Sequence, residues 1–402
     1  MHPIEFALPA HDDNALTILR RALDSYQQSH RNLQINLTAL PWTTAWNDLV
    51  RVALYGDGAE ISEVGSTWVG SFVGMDALRP YTSLEISKIG GAAAFLPSAW
   101  QNGSLVGDGE VWGMPWLSDT RVIFYWRDMF DHAGLDGATA FQSFEKTYET
   151  LAGLQAHGIT TPWAVTTRRT ANTLYNIASW VWGAGGDFMR ADGKCMRIAE
   201  PEARAGLAHY YRLYRYMPQS SEPMDGIATF EMFLNQNVAA IVSGPWFLKW
   251  LRDRNVAPYT LARIGISLLP GPSFVGGTNL VIWKHVANYD QVLAELVRYL
   301  VTSPALLDFY HHAGLLPARL NLLEQPPFKT DSHYQQIIKA LGSGRPHMRI
   351  TLWGLVEDRL VAMLAHIWNE VRANPAADID ALIERNIIPL AQRLDEILAG
   401  RR

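Results

Sequence analysis

A chain of 402 residues exceeds what one ordinary core holds at about 100–200 residues per domain, so two lobes or three are expected. Hydrophobic residues make up 48% and charged ones 18%, a balance that fills large cores and excludes a disordered or filamentous protein. The formal net charge is −5, from 34 basic and 39 acidic residues, and no basic block stands out, which excludes the phosphate-neutralising face of a nucleic-acid binder.

In chain order, residues 4–8 read as a strand, 16–30 as a helix, 33–40 as a strand, 46–56 as a helix and 59–65 as a strand. Apolar runs alternating with amphipathic segments signify an α/β unit with parallel strands, whose ligands gather at the carboxyl ends. Those ends carry residues 11–14, Pro41-Trp42 and residues 63–68. Residues 81–114 are rich in Gly, Ser and Pro with short helix signals, and the polar knot at 115–121 runs into the β-branched and aromatic stretch 122–126, read here as the crossing into a second, helix-rich lobe. Helices follow at 141–158, at 173–182 before the stop Gly183-Ala184-Gly185-Gly186, and at 201–216 with Pro201 at an early position. Gly276-Gly277 opens a strand over 274–283. After it come a helix at 290–300, another from Pro304 that Gly314 ends before Pro317, and helices from 351 onward, broken at Asn374-Pro375.

Cys195 is the only cysteine, so neither an intrachain disulfide nor a cysteine-rich zinc site is available. Apolar stretches such as 238–242 fall far short of the ~20 residues that span a bilayer. No basic and apolar leader precedes the first strand, which leaves open a cytoplasmic protein or an exported one whose signal has been removed.

Four stretches in order carry a resemblance. The first is Glu60-Ile61-Ser62-Glu63-Val64-Gly65-Ser66-Thr67-Trp68 with Asp76-Ala77-Leu78-Arg79-Pro80-Tyr81. The second is Gly113-Met114-Pro115-Trp116-Leu117-Ser118-Asp119-Thr120-Arg121 with Phe124-Tyr125-Trp126-Arg127-Asp128-Met129-Phe130. The third runs from Phe233-Leu234-Asn235-Gln236 to Val242-Ser243-Gly244-Pro245-Trp246. The fourth joins Gly276-Gly277 and Leu280-Val281-Ile282-Trp283-Lys284 to Phe309, Gly314 and Leu316-Pro317-Ala318-Arg319. Together they resemble family 1 of the extracellular solute-binding proteins, which contains the maltose-binding and related sugar-binding proteins.

The resemblance implies an α/β, two-lobed periplasmic-binding-protein (Venus flytrap) fold, each lobe a sheet flanked by helices. It assigns 1–117 and 277–318 to the N-terminal lobe and 118–276 and 319–402 to the C-terminal lobe, joined by a hinge of about three crossings. It further implies a carbohydrate held between the lobes by hinge closure, delivery to the membrane permease subunits of an ABC importer, a monomer without cofactor or metal, and a periplasmic or extracellular location, free or lipid-anchored. One departure stands out: after the first strand, where many relatives place an aromatic residue, this chain has Pro9-Ala10-His11-Asp12-Asp13-Asn14.

A pyranose offers a flat C–H patch and a rim of hydroxyls, so its site needs aromatic faces and fixed polar groups. With 15 Trp and 15 Tyr the chain has faces in supply, and Trp42, Trp68, Trp116, Trp246 and Trp353 fall at loop or hinge positions in this reading. The candidates are Trp42, Trp68, Trp182, Trp246 and Trp353 for stacking; Asp12, Asp13, Glu63, Ser66, Asp119 and Asn279 for hydroxyls; and Gly277 for backbone contact or hinge duty. Against these stand plain alternatives: buried core tryptophans, a helix cap or an Arg121 ion pair for Asp119, and a surface carboxylate for Glu63. Arg168, Arg169 and Arg349 are weaker donors, more simply read as surface charge.

Catalytic motifs are missing: there is no Gly-x-Ser-x-Gly elbow, Walker loop, His-Glu-x-x-His or dinucleotide glycine pattern, and His311-His312 are adjacent residues on a helix that point different ways. No enzymatic activity is expected. A carbohydrate-active enzyme using a carboxylate pair, or a binding protein for a polyol phosphate or a polyamine, remains the alternative.

Overall fold

The computed structural model describes residues 3–30, 32–286 and 290–400. The chain begins with alternating strands and helices: β1 (Ile4–Pro9), α1 (Asp13–Ser29), β2 (Ile35–Leu40), α2 (Trp42–Tyr55), β3 (Ile61–Gly65), α3 (Val69–Gly74), β4 (Leu78–Arg79), α4 (Ser83–Ile89), α5 (Pro97–Gln101) and β5 (Met114–Thr120). Phe6 and Leu8 are fully buried because β1 lies inside its sheet, and α1 turns Leu16, Leu19, Leu23 and Tyr26 inward at helical spacing.

The middle of the chain adds β6 (Val122–Trp126), α6 (Arg127–His132), α7 (Phe144–Ala156), β7 (Trp163–Ala164), α8 (Ala171–Gly183), α9 (Pro201–Arg212), α10 (Gly226–Leu234), β8 (Ala240–Ser243), α11 (Trp246–Asp253), α12 (Pro258–Ala262) and β9 (Ile264–Ser267). After it come β10 (Val275–Trp283), α13 (Asp290–Thr302), α14 (Leu307–Ala313), β11 (Leu316–Pro317), α15 (Leu320–Leu323), α16 (Ser332–Ser343), α17 (Trp353–Ala373) and α18 (Ile379–Leu398). Asn374 and Pro375 separate the last two helices, as their sequence signals. No helix among the described residues is long and apolar enough to cross a membrane.

Two compact units result. The first comprises Met1–Asp119, Val275–Gln335 and Arg349–Gly354; the second comprises Thr120–Phe274, Gln336–Met348 and Leu355–Arg402. In the first, among the described residues, seven strands form one sheet in the order β11-β5-β10-β3-β1-β2, with β4 against β10. The β1–β2 and β1–β3 pairs are parallel, whereas β10 returns antiparallel to β3 with Thr278 opposite Gly65 and Leu280 opposite Glu63. The amino end of β10 therefore lies beside the carboxyl end of β3. Trp116 is not a loop residue: it sits inside β5, 1% exposed, stacked on Phe309 at 5.1 Å with its indole N–H donating to the Leu300 carbonyl at 3.0 Å.

The second unit holds the four-stranded sheet β7-β8-β6-β9, in which β6 pairs antiparallel with β8 and β9, and β7 runs parallel to β8. The third family-like stretch thus supplies its buried strand β8 and, directly after Gly244-Pro245, the start of α11.

Candidate functional site

In the first unit, the carboxyl ends of the parallel strands assemble an aromatic bracket. Trp42 is the first residue of α2, at the end of β2, and Trp68 precedes α3, at the end of β3; their rings meet edge-on at 6.1 Å. Trp46, one helical turn beyond Trp42, meets Trp68 edge-on at 5.5 Å and packs at 5.2 Å on Phe72, which in turn meets the buried Trp283 at 5.1 Å. Trp68 is thereby braced from the core, while Trp42 stays 49% exposed. An exposed ring held on a rigid aromatic base is a preformed apolar face.

Polar backbone borders it. The Ser66 amide donates to the Gly277 carbonyl at 2.9 Å, which joins β3 to the entry of β10. Gly277 has φ +121°, and a Cβ there would come within 2.0 Å of the Leu117 carbonyl oxygen, so this position requires glycine. Asn279 lies deeper, 1% exposed, packed on Gly113, and neither amide atom of its side chain has a hydrogen-bond partner among the described residues.

The acidic candidates take different places. Asp12 caps α1, accepting the Ala15 amide at 2.8 Å, and Asp13 begins that helix, exposed. Glu63 is not a surface carboxylate: it is fully buried, its Oε2 3.0 Å from His11 Nε2, because β3 runs inside the sheet. Asp119, near the end of β5, is partly exposed. Arg121, offered above as its ion-pair partner, donates to the Asn172 side-chain oxygen at 2.9 Å.

In the second unit Trp246 opens α11, partly exposed, with the buried guanidinium of Arg121 4.6 Å from its ring centroid. Trp182 is 6% exposed, which burial within its own unit explains. Its indole N–H donates to Asp187 at 3.0 Å, Arg345 lies 4.7 Å from the ring centroid, and Phe188 and His347 pack around it. Trp353 begins α17 with 1% exposure and is not a loop residue.

His347 sits among Tyr175, Trp182, Phe188 and Phe274; burial first, then Arg345 and Arg121, push its pKa down to about 3. Arg168 pairs with Asp225 and Arg169 with Asp358, both at 3.0 Å on the surface, whereas Arg349 donates to the Gln101 carbonyl at 2.9 Å and burial lowers its pKa. His311 and His312 point to different partners, the Tyr334 hydroxyl and the Asp308 carbonyl.

Trp46, Tyr175 and Arg121 are the site neighbours that sequence reasoning missed. The i, i+4 spacing of Trp42 and Trp46 on a helix was the available signal for the first; no local pattern marks the other two.

Residues 21–336 match the family of bacterial extracellular solute-binding proteins, and the chain belongs to that family. A curated binding protein of Brucella abortus (strain 2308) is 19% identical over 306 residues, covering 73% of this chain and 70% of its own. Among solved structures, the chain is similar to the sugar-binding protein MalE of the phytopathogen Xanthomonas citri, at 22% identity and a TM-score of 0.83 over 100% of this chain and 98% of that one. Maltose-bound MalE3 of T. maritima is similar at 17% identity and a TM-score of 0.79, over 98% and 100%. These likenesses establish the two-lobed α/β binding-protein fold.

Proposed function

We propose that this chain captures a carbohydrate and delivers it to the membrane permease subunits of an ABC importer. The observation that carries the proposal is the exposed Trp42 held edge-on by Trp68 over the Trp46–Phe72 base, a rigid surface of the kind a pyranose C–H face stacks on. Ser66 and the Gly277 backbone border that surface, Asp119 supplies an acceptor for hydroxyls, and Trp246 offers a second stacking surface on the other unit. The two units act as the lobes of the binding protein. The sugar leaves as it came, the protein works as a monomer, and the setting is periplasmic or extracellular, with the chain free or lipid-anchored. The family supports a binding role, and similar proteins named for maltose and sugar binding support the solute class.

The test is a thermal-shift panel of glucose, maltose, maltotriose, a sugar phosphate and a polyamine, with chromatography of the recovered ligand. A saturable rise with one unmodified sugar, weakened at least about tenfold by Trp42→Ala without loss of fold, is the expected outcome. A response to the polyamine or phosphate alone, or a consumed sugar, overturns the reading.

A further inference from the structure

We propose that Arg121 is a positioning residue for Trp246: its guanidinium closes one side of the indole and leaves a single side for the solute. The inference rests on the carbohydrate reading above and extends it to a residue that touches no sugar.

Arg121 is 2% exposed, between β5 and β6, with its guanidinium carbon 4.6 Å from the Trp246 ring centroid, 5.1 Å from Tyr175 and 5.6 Å from Phe274. Three rings facing one cation form a desolvated cation–π cage, the setting in which that attraction is strongest. The cation is itself fixed. Its Nη2 donates to Asn172 at 2.9 Å, Nη1 to the Thr120 carbonyl at 3.3 Å, and its own carbonyl accepts from the Ser273 hydroxyl at 2.9 Å. Tyr175 is fixed in turn, stacked on Phe274 at 4.1 Å with its hydroxyl donating to Glu357 at 2.6 Å.

The indole is restrained from another direction as well. A Cβ on Gly244 would lie 2.0 Å from the Trp246 ring, so the ring folds back against the backbone two residues before it. An N-terminal helical residue with an unbraced side chain would sample several rotamers; this one is restrained both by the close Gly244 backbone and by the caged cation on one side of its ring. Trp246 nevertheless keeps partial exposure, and that remainder is the surface open to a ligand. The arrangement admits one sugar ring stacked on one side, not a sugar on each.

The experiment labels the protein with 5-fluorotryptophan, assigns the Trp246 resonance with Trp246→Phe, and compares Arg121→Met with Arg121→Lys, first without ligand and then by calorimetry with maltose. In Arg121→Met the Trp246 resonance shifts and broadens in the ligand-free protein, and Arg121→Lys restores it in part. Maltose affinity falls at least about tenfold in Arg121→Met, and the same substitution made in Trp246→Ala protein causes no further fall. An unchanged resonance in a folded Arg121→Met protein, or equal affinity losses with and without the indole, overturns the assignment. If the unaltered protein binds no sugar, the functional reading falls, and the ligand-free resonance still decides the role of Arg121.

Discussion

Trp42 and Trp353 look alike in sequence, each beginning a helix after a turn, yet one is half exposed and the other enclosed. Sequence finds where large aromatics interrupt the periodic faces; what covers them is set by residues far away in the chain. Asp12, read from the sequence for ligand hydroxyls, caps α1 by accepting the Ala15 amide. Asp12→Ala is expected to cost about 0.5–2 kcal/mol in urea unfolding, and Asp12→Asn far less. If Asp12 also holds ligand hydroxyls, Asn retains stability and loses sugar affinity, so paired unfolding and calorimetry separate the two duties. Gly277→Ala forces a left-handed φ and a clash with the Leu117 carbonyl together, and is expected to destabilise by about 2 kcal/mol or more, read as a lowered midpoint with an unchanged m-value.

At the scale of elements, the parallel strands β1 to β3 with their helices, the glycine stop after α8 and the break before α18 were all legible, because each rests on local periodicity or on Gly and Pro chemistry. The sheet of the second unit was not: β7, β8 and β9 are two to four residues long, too short to display a period, and pair only through tertiary contacts. The segment carrying Arg345 and His347 was equally silent, although it packs His347 between α8 and the Phe274 ring. An unfolded histidine titrates near 6.5, whereas His347 is held neutral down to about 3. Between those values the unfolded chain binds a proton that the native chain refuses, so stability falls as pH drops from about 6.5, by at most about 1.4 kcal/mol per unit from this residue. His209, lowered in pKa chiefly by burial, adds in the same direction, while Glu295, hydrogen-bonded by Lys88 and Arg298, contributes only as its carboxyl protonates at lower pH. Melting temperatures from pH 7 to 5 are expected to decline, and His347→Gln to flatten that decline; an identical slope in the variant would refute the assignment.

For the whole molecule, the family was legible from four stretches whose order and spacing agree, each weak alone, and the match over residues 21–336 places the chain in it. Which sugar binds is not written in such stretches, because the proposed binding surfaces draw on side chains such as Trp42, Trp46 and Tyr175 that lie outside all four. Mass action gives a check at this scale: a sugar at a hundred times its dissociation constant adds about 2.7 kcal/mol to the stability of whatever unfolds with its site. If only one unit carries the ligand and melts alone, one of two resolved calorimetric transitions moves; if both contribute, both move.

The division of the chain also bears on how it is made. Strand β10 lies in the middle of the first sheet, and its Trp283 indole donates to Ser62, 221 residues earlier. At about 5–20 residues per second, the ribosome holds the first 119 residues for roughly ten to thirty seconds before the strand that completes their sheet exists. Throughout that interval the edges of β3 and β5 stand unpaired, and only a nascent chain extended past Trp283 can become protease-resistant at its amino end.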